Sequence, residues 1–218
     1  MNTLLKRIVW LIITAPAIYL FLIWNKLPEK IAVHYNLSGA PDRYGNKNTM
    51  LVVTALLILV NAGIYLLLSN IHRIDPKKSA AENKDRMLRI GFAVSVFVSA
   101  VLCIIIYSGQ SAALKFNVKW IFAGVGVLFS LLGNYMHNIK PNYFAGLRLP
   151  WTLENEENWR KTHLLAGKLW FAGGLVMVAV SLFLPLISGF ICFALIAMII
   201  TIIPCIYSYK LFKKMKPL

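Results

Sequence analysis

Six apolar stretches set the limits on what this chain can fold into. They cover residues 8–24, 50–69, 88–107, 118–134, 169–184 and 190–209. A helix that crosses a bilayer needs about 20 mostly apolar residues, with a range of roughly 17–25. The fifth stretch is short, and Pro185 with Ser188-Gly189 predicts a tight turn from it into the sixth. The chain is 59% hydrophobic, against roughly 45–50% in a soluble domain. Six spans within 218 residues leave little chain for a separate soluble domain. The expectation is an all-α integral membrane protein with six transmembrane helices in one membrane domain, residues 1–218.

The net charge of +15 would suit nucleic acid, but the placement of the charges argues otherwise. Lys6 and Arg7, the basic residues of 70–89, those of 140–168 and those of the tail all fall on one side of the alternating spans. The other side holds only Lys26, Lys30, Arg43, Lys47, Lys115 and Lys119. Loops rich in Lys and Arg stay in the cytoplasm, so both termini are expected there, in the cytoplasmic membrane. The basic surplus then serves topology and attraction to the anionic lipid bilayer. No direct nucleic-acid partner is expected.

The N-terminus imitates a signal peptide, with Lys6-Arg7, an apolar run and Ala15-Pro16-Ala17. Cleaved signals are followed by polar mature sequence, whereas Ile18 to Trp24 stays apolar. An uncleaved first helix with Pro16 as a kink is expected. Cys103, Cys192 and Cys205 lie within spans and form neither a disulfide framework nor a metal motif. No span carries Asp, Glu, Lys or Arg in its middle, and ion-coupled transporters usually need such groups. No inverted repeat of the transporter kind is visible.

Two loops are furnished beyond what a connection needs. The outer loop, residues 25–48, alternates Ile31, Val33 and Tyr35 with Ala32, His34 and Asn36, a short strand-like period. Ser38 to Asp42 then reads as dense turn chemistry. An ordered cap follows, with a lone strand packed on helix ends or on another loop. The inner loop, residues 135–168, holds Pro150, Thr152 as a helix N-cap, and Glu154, Glu156 and Glu157 in the first turns, where the helix dipole favours anions. Glu156 with Arg160 and Glu157 with Lys161 are i,i+4 pairs in the better orientation. Gly167 either interrupts this helix or lets it run into the fifth span. Residues 70–87 read as a solvated cytoplasmic turn and part-helix near the headgroups.

No catalytic constellation emerges. A metal site needs at least three converging ligands; the nearest approach is His163 with Glu156 or Glu157, and a salt-bridged surface helix explains that spacing better. No Gly-x-Ser-x-Gly and no Ser–Lys pair is present for nucleophilic work. No enzyme activity and no cofactor are expected. Tyr, Trp and Arg dominate interface energetics, and both loops carry them, although aromatics also anchor loops at headgroup level.

Two segments resemble a known family. In the outer loop the matching positions are Pro28, His34, Asn36, Gly39, Pro41, Asp42, Tyr44 and Gly45; in the inner loop they are Asn142, Gly146, Arg148, Pro150, Trp151, Thr152, Trp159, His163 and Gly167. Their order and sides resemble the SdpI-like bacterial membrane proteins. Leu149 departs from that family's usual Arg-Thr-Pro-Trp, and Leu164 stands where a basic residue is common. The resemblance implies immunity to a secreted antimicrobial peptide toxin, together with sequestration of a small winged-helix transcriptional repressor. On that reading His34, Asn36, Gly39, Pro41, Asp42 and Tyr44 recognise the toxin outside. Arg148, Trp151, Glu156, Glu157, Trp159, Arg160 and His163 form the inner docking surface. The alternative is a transporter or flippase that exports a peptide or lipid.

Overall fold

The computed structural model describes residues 3–36, 40–110 and 117–215. In chain order the elements are α1 (Thr3–Ile23), β1 (Lys30–Tyr35), β2 (Pro41–Asn46), α2 (Asn48–Ile74), α3 (Lys84–Ser108), α4 (Lys119–Met136), α5 (Pro150–Glu154), α6 (Glu156–Phe183) and α7 (Leu186–Met215). Short 3-10 turns stand at Trp24–Lys26 and Lys78–Asn83. Among the described residues all the helices except α5, six of them, are long and apolar enough to cross a membrane. Hydrocarbon offers backbone groups no partner, so each apolar stretch satisfies its own by coiling. The expected six-span, all-α architecture is therefore present, with one small two-stranded sheet.

The fifth span differs from the expectation. It is not a short helix starting near residue 169 but the later part of α6, which runs unbroken through Gly167. The turn after it is formed by Leu184 and Pro185. Ser188 and Gly189 already belong to the first turn of α7, where Gly189 N–H and Ser188 Oγ–H both donate to Pro185 O at 2.7 and 3.1 Å.

The chain packs as two compact units. The first comprises Met1–Leu67 and Gly91–Ile121, the second Leu68–Ile90 and Phe122–Leu218. In the first, Leu20, Ile23, Leu27, Ile31, Met50, Leu102 and Ile106 form a buried cluster. Ile31 fastens β1 to this cluster. Deeper along α2, Asn61 Nδ2 donates to Ser95 O and Ser99 Oγ of α3 at 3.3 and 3.1 Å, the kind of polar tie that joins helices where no water competes.

The second unit depends on glycine. A Cβ at Gly126 of α4 would lie 2.8 Å from Gly174 O of α6, and one at Gly133 would lie 2.8 Å from Gly167 O. Ser130 Oγ–H between them donates to Phe171 O at 3.0 Å. The two backbones touch because these positions carry no bulk, a common device where packing rather than water exclusion joins helices. This contact also explains why Gly167 does not end the helix.

Candidate functional site

The described residues of the loop between α1 and α2, expected outside, fold as a hairpin. β1 and β2 pair antiparallel, with Lys30 opposite Asn46 and Tyr35 opposite Pro41. The lone strand expected from the sequence thus has a partner. That partner, Pro41–Asn46, is rich in residues depleted from strands, so periodicity could not reveal it. The strand is accommodated by Gly45, where a Cβ would meet Val33 Cγ1 at 2.9 Å. At the base, Lys47 N–H donates to Glu29 O at 3.0 Å, and Lys47 Nζ sits 2.6 Å from Glu29 Oε1. At the other end Asn36 N–H donates to Ala40 O at 2.9 Å while Asn36 Oδ1 accepts from Ala40 N–H at 3.0 Å.

The structure brings the described residues that were expected to meet a toxin together on this hairpin. His34 Nδ1–H donates to Asp42 Oδ1 across the two strands at 2.6 Å. His34, Asn36, Asp42 and Tyr44 are exposed and Pro41 is half-buried; Gly39 lies outside the described residues. Tyr44 pairs with Ala32 through its backbone, and its side chain is 51% exposed.

The loop of residues 135–168, expected inside, is organised from buried polar side chains. Asn142 Oδ1 accepts Phe144 N–H and Ala145 N–H at 2.9 and 2.7 Å, while its Nδ2 donates to Lys140 O and Ala145 O. Gly146 has φ +103°, a conformation that favours glycine. A Cβ there would collide with His163 Nε2. The next residue, Leu147, donates its N–H to that same Nε2 at 3.0 Å. His163 Nδ1–H donates to Trp159 O at 2.9 Å. One ring nitrogen faces a donor and the other an acceptor, so the neutral Nδ1–H imidazole satisfies both. Trp159 stacks on this ring at 3.9 Å and donates Nε1–H to Ile139 O at 2.6 Å.

The α6 cap is Asn155, not Thr152. Asn155 Oδ1 accepts Asn158 N–H at 2.8 Å, and Glu156 and Glu157 follow in the first turn. Asn ranks with the best caps, and its position directly before the two Glu was the overlooked signal. Thr152 instead sits in α5, accepting Leu149 N–H at 2.9 Å. Of the paired charges, Lys161 Nζ and Glu157 Oε1 meet at 2.6 Å. No ion pair joins Glu156 and Arg160 among the described residues.

Residues 75–83 are not a solvated turn. Asp75 Oδ2 accepts Tyr143 N–H at 2.7 Å, and Ser79 Oγ–H donates to Pro141 O at 2.8 Å. Asn83 and Lys140 exchange two hydrogen bonds at 2.9 and 2.8 Å. Lys77 Nζ donates to Leu153 O. The second and fourth loops are one folded piece.

The expected docking residues therefore divide. Trp159 and His163 are buried and act as the interior of the loop rather than as its surface. Arg148 is exposed, but its Nη1 donates to Tyr143 O at 2.9 Å. Trp151 donates Nε1–H to Ser208 Oγ at 2.8 Å and stacks on Phe212. Glu156, Glu157 and Arg160 are exposed and share a groove of about 620 Å³ with Arg86, His137 and Lys140.

The residues that sequence reasoning missed are Asn83, Asn158 and Ser208. Ser208 Oγ–H donates to Asn158 Oδ1 at 2.8 Å, and Asn158 Nδ2 donates to Ser208 O at 3.0 Å. This buried exchange ties α6 to α7 and holds Trp151. Ser208→Ala strands the Trp151 and Asn158 groups, and an unpaired buried polar group costs about 1–3 kcal/mol. The expected result is a lower thermal midpoint in detergent, with Trp151→Phe partly relieving the loss in the double variant.

Comparison with known proteins fits this geometry. Residues 138–208 match the SdpI/YfhL protein family, and residues 11–59 match a domain of unknown function, DUF1648. The first match contains the whole Asn142–Ser208 network, the second the whole hairpin. The chain is 26% identical over 198 residues to the immunity protein SdpI of Bacillus subtilis strain 168, covering 87% of this chain and 88% of that protein. No solved structure matches. The chain is thus a multi-pass cell-membrane protein, similar to the SdpI/YfhL family over residues 138–208 and to SdpI along most of its length.

Proposed function

We propose that the chain is an immunity protein that protects its cell from a secreted peptide toxin, without catalysis. The observation that carries this reading is the ordered hairpin, whose exposed His34, Asp42 and Tyr44 sit on a frame braced by Asn36 and Lys47. A frame of this kind presents polar and aromatic groups with little ordering left to be done on binding. The charge distribution supports a hairpin outside and both termini inside. On that orientation the module of residues 75–83 and 138–163 faces the cytoplasm. Its groove, edged by Glu156, Glu157 and Arg160, offers charged contacts to a small winged-helix repressor.

The test is a challenge of cells that express the chain, using a dilution series of conditioned medium containing the secreted peptide toxin. Tyr44→Ala is the most informative variant, because it keeps the backbone pairing with Ala32 and removes only an exposed side chain. Its expected effect is a loss of about tenfold in tolerated toxin, the size of one anchor contact worth about 1.4 kcal/mol. Unchanged protection by Tyr44→Ala and Asp42→Ala at equal membrane levels would remove the hairpin from the recognition step.

A further inference from the structure

In the first unit, α1 and α2 leave a groove of about 500 Å³ between them. One wall is Ala17, Leu20, Phe21 and, in the turn that follows α1, Trp24. The other is Leu51, Thr54, Ala55 and Ile58 of α2. Both sets follow the spacing i, i+3, i+4, i+7, which puts each on one face of its helix. All eight lie within the two apolar spans, so the mouth of the groove opens on hydrocarbon. Leu20 and Thr54 are buried at its floor, while Phe21, Leu51 and Ala55 are exposed at its mouth.

One atom in this apolar lining is out of place. Thr54 is 3% exposed, and its Oγ1 is buried with no hydrogen-bond partner among the described residues. A stranded hydroxyl costs about 1–3 kcal/mol, and a plain hydrocarbon tail relieves none of it. The depth of Thr54 narrows what can. α2 has 27 residues, about 40 Å at 1.5 Å per residue. That length spans the hydrocarbon core and both headgroup layers of a bilayer. Thr54 stands six residues after Asn48 at the start of α2, about 9 Å along the axis. This is close to the boundary between headgroups and hydrocarbon, the level of the ester carbonyls of a phospholipid. An ester carbonyl is an acceptor with no obligatory partner at that depth. A helix of a second copy has its carbonyls already engaged within itself.

A cation stands at the hairpin end of the groove. Lys47 Nζ lies 5.3 Å from the centroid of the Trp24 ring. It also meets Glu29, but an ammonium has three donors and keeps others for a phosphate. Lys26 is exposed in the same short turn as Trp24. From the hairpin end downward, the order is therefore cation, hydroxyl, apolar channel, which is the order of phosphate, ester and acyl chain in a phospholipid.

We propose that this groove is a binding site for one phospholipid, with the phosphate at Lys47, an ester carbonyl accepting from Thr54 Oγ–H, and an acyl chain running on towards Ala17 and Ile58. Because Lys47 also closes the base of the hairpin, the bound lipid braces the hairpin from below.

The experiment uses the full chain purified in a mild detergent and titrated with dioleoylphosphatidylglycerol or with dioleoylglycerol, which has the same tails and esters but no phosphate. Native mass spectrometry reads the bound molecules. The expected result is one phospholipid held per chain at concentrations where dioleoylglycerol is not retained. Thr54→Val keeps the shape and removes the hydroxyl, and is expected to weaken binding about three- to tenfold. Ala55→Trp, which fills the channel from its exposed side, is expected to abolish the adduct. Leu59→Trp, at a position 70% exposed on α2 and outside the groove, is expected to leave it unchanged. Equal retention by the parent, Thr54→Val and Ala55→Trp overturns the site. Equal retention of dioleoylglycerol, or a lipid-free dimer, overturns the phospholipid as occupant. If Ala55→Trp does not reach the membrane, Thr54→Val and the comparison of the two lipids still decide.

Discussion

Replacing Trp159 by Ala is expected to cost about 3–5 kcal/mol, the usual range for a large aromatic removed from a packed interior. Trp159 is 1% exposed. It supports the inner loop at two points, through Nε1–H on Ile139 O and through its stack on His163. His163 in turn holds Leu147 N–H and lies against Gly146. Loss of the indole therefore opens a void and also frees the ring that positions residues 146–147. A drop in thermal midpoint on the order of 10 °C follows from that range for a chain of this size. Size-exclusion of the detergent-solubilised protein after stepwise heating reads it. Trp159→Phe keeps the stack and loses only the hydrogen bond, at about 1–3 kcal/mol for the stranded carbonyl and its surroundings. Equal stability of the Ala variant and the parent would show that the loop is held by something else.

The second large effect is expected from Gly133→Leu. A Cβ at this position would lie 2.8 Å from Gly167 O and 2.9 Å from Trp170 C, both backbone atoms of α6. Backbone cannot swing aside as a flexible side chain can, so α4 and α6 must separate. Overpacking of a formed core costs about 1–3 kcal/mol and more where nothing yields. Separation would also break the Ser130 Oγ–H bond to Phe171 O. The expected result is severe loss of protein from the membrane fraction. Gly63→Leu is the control, since nothing lies within 4 Å of a Cβ built there. A Gly133→Leu variant that accumulates like the control would refute the close helix contact.

The two loops differ in how far they could be read from sequence. Spacing revealed the inner loop as a structured segment, and resemblance singled out Asn142, Gly146, Trp159 and His163. Composition suggested a surface for Trp159 and His163, because aromatics in polar loops usually face an interface. The structure turns both inward. They could not be assigned from sequence because their partners, Ile139 O and Leu147 N–H, are backbone groups without a sequence signature. The outer loop shows the reverse case. His34 and Asp42 were singled out without any sign that they meet, and β2 brings them to 2.6 Å.

By itself the sequence determined the number of spans and the all-helical class. Apolar length is a local property, and hydrocarbon leaves a backbone no alternative to pairing within its own segment. The segments of 8–24 through 190–209 needed no distant information to be recognised. Tertiary structure alone decided that residues 75–83 dock on 140–153, that α6 is capped by Asn155 and runs through Gly167, and that β1 has a partner. These depend on contacts such as Asn83 with Lys140 and Asn158 with Ser208, 57 and 50 positions apart. Such contacts pair a side chain with whatever the fold brings near, and no periodicity along the chain records which groups those will be.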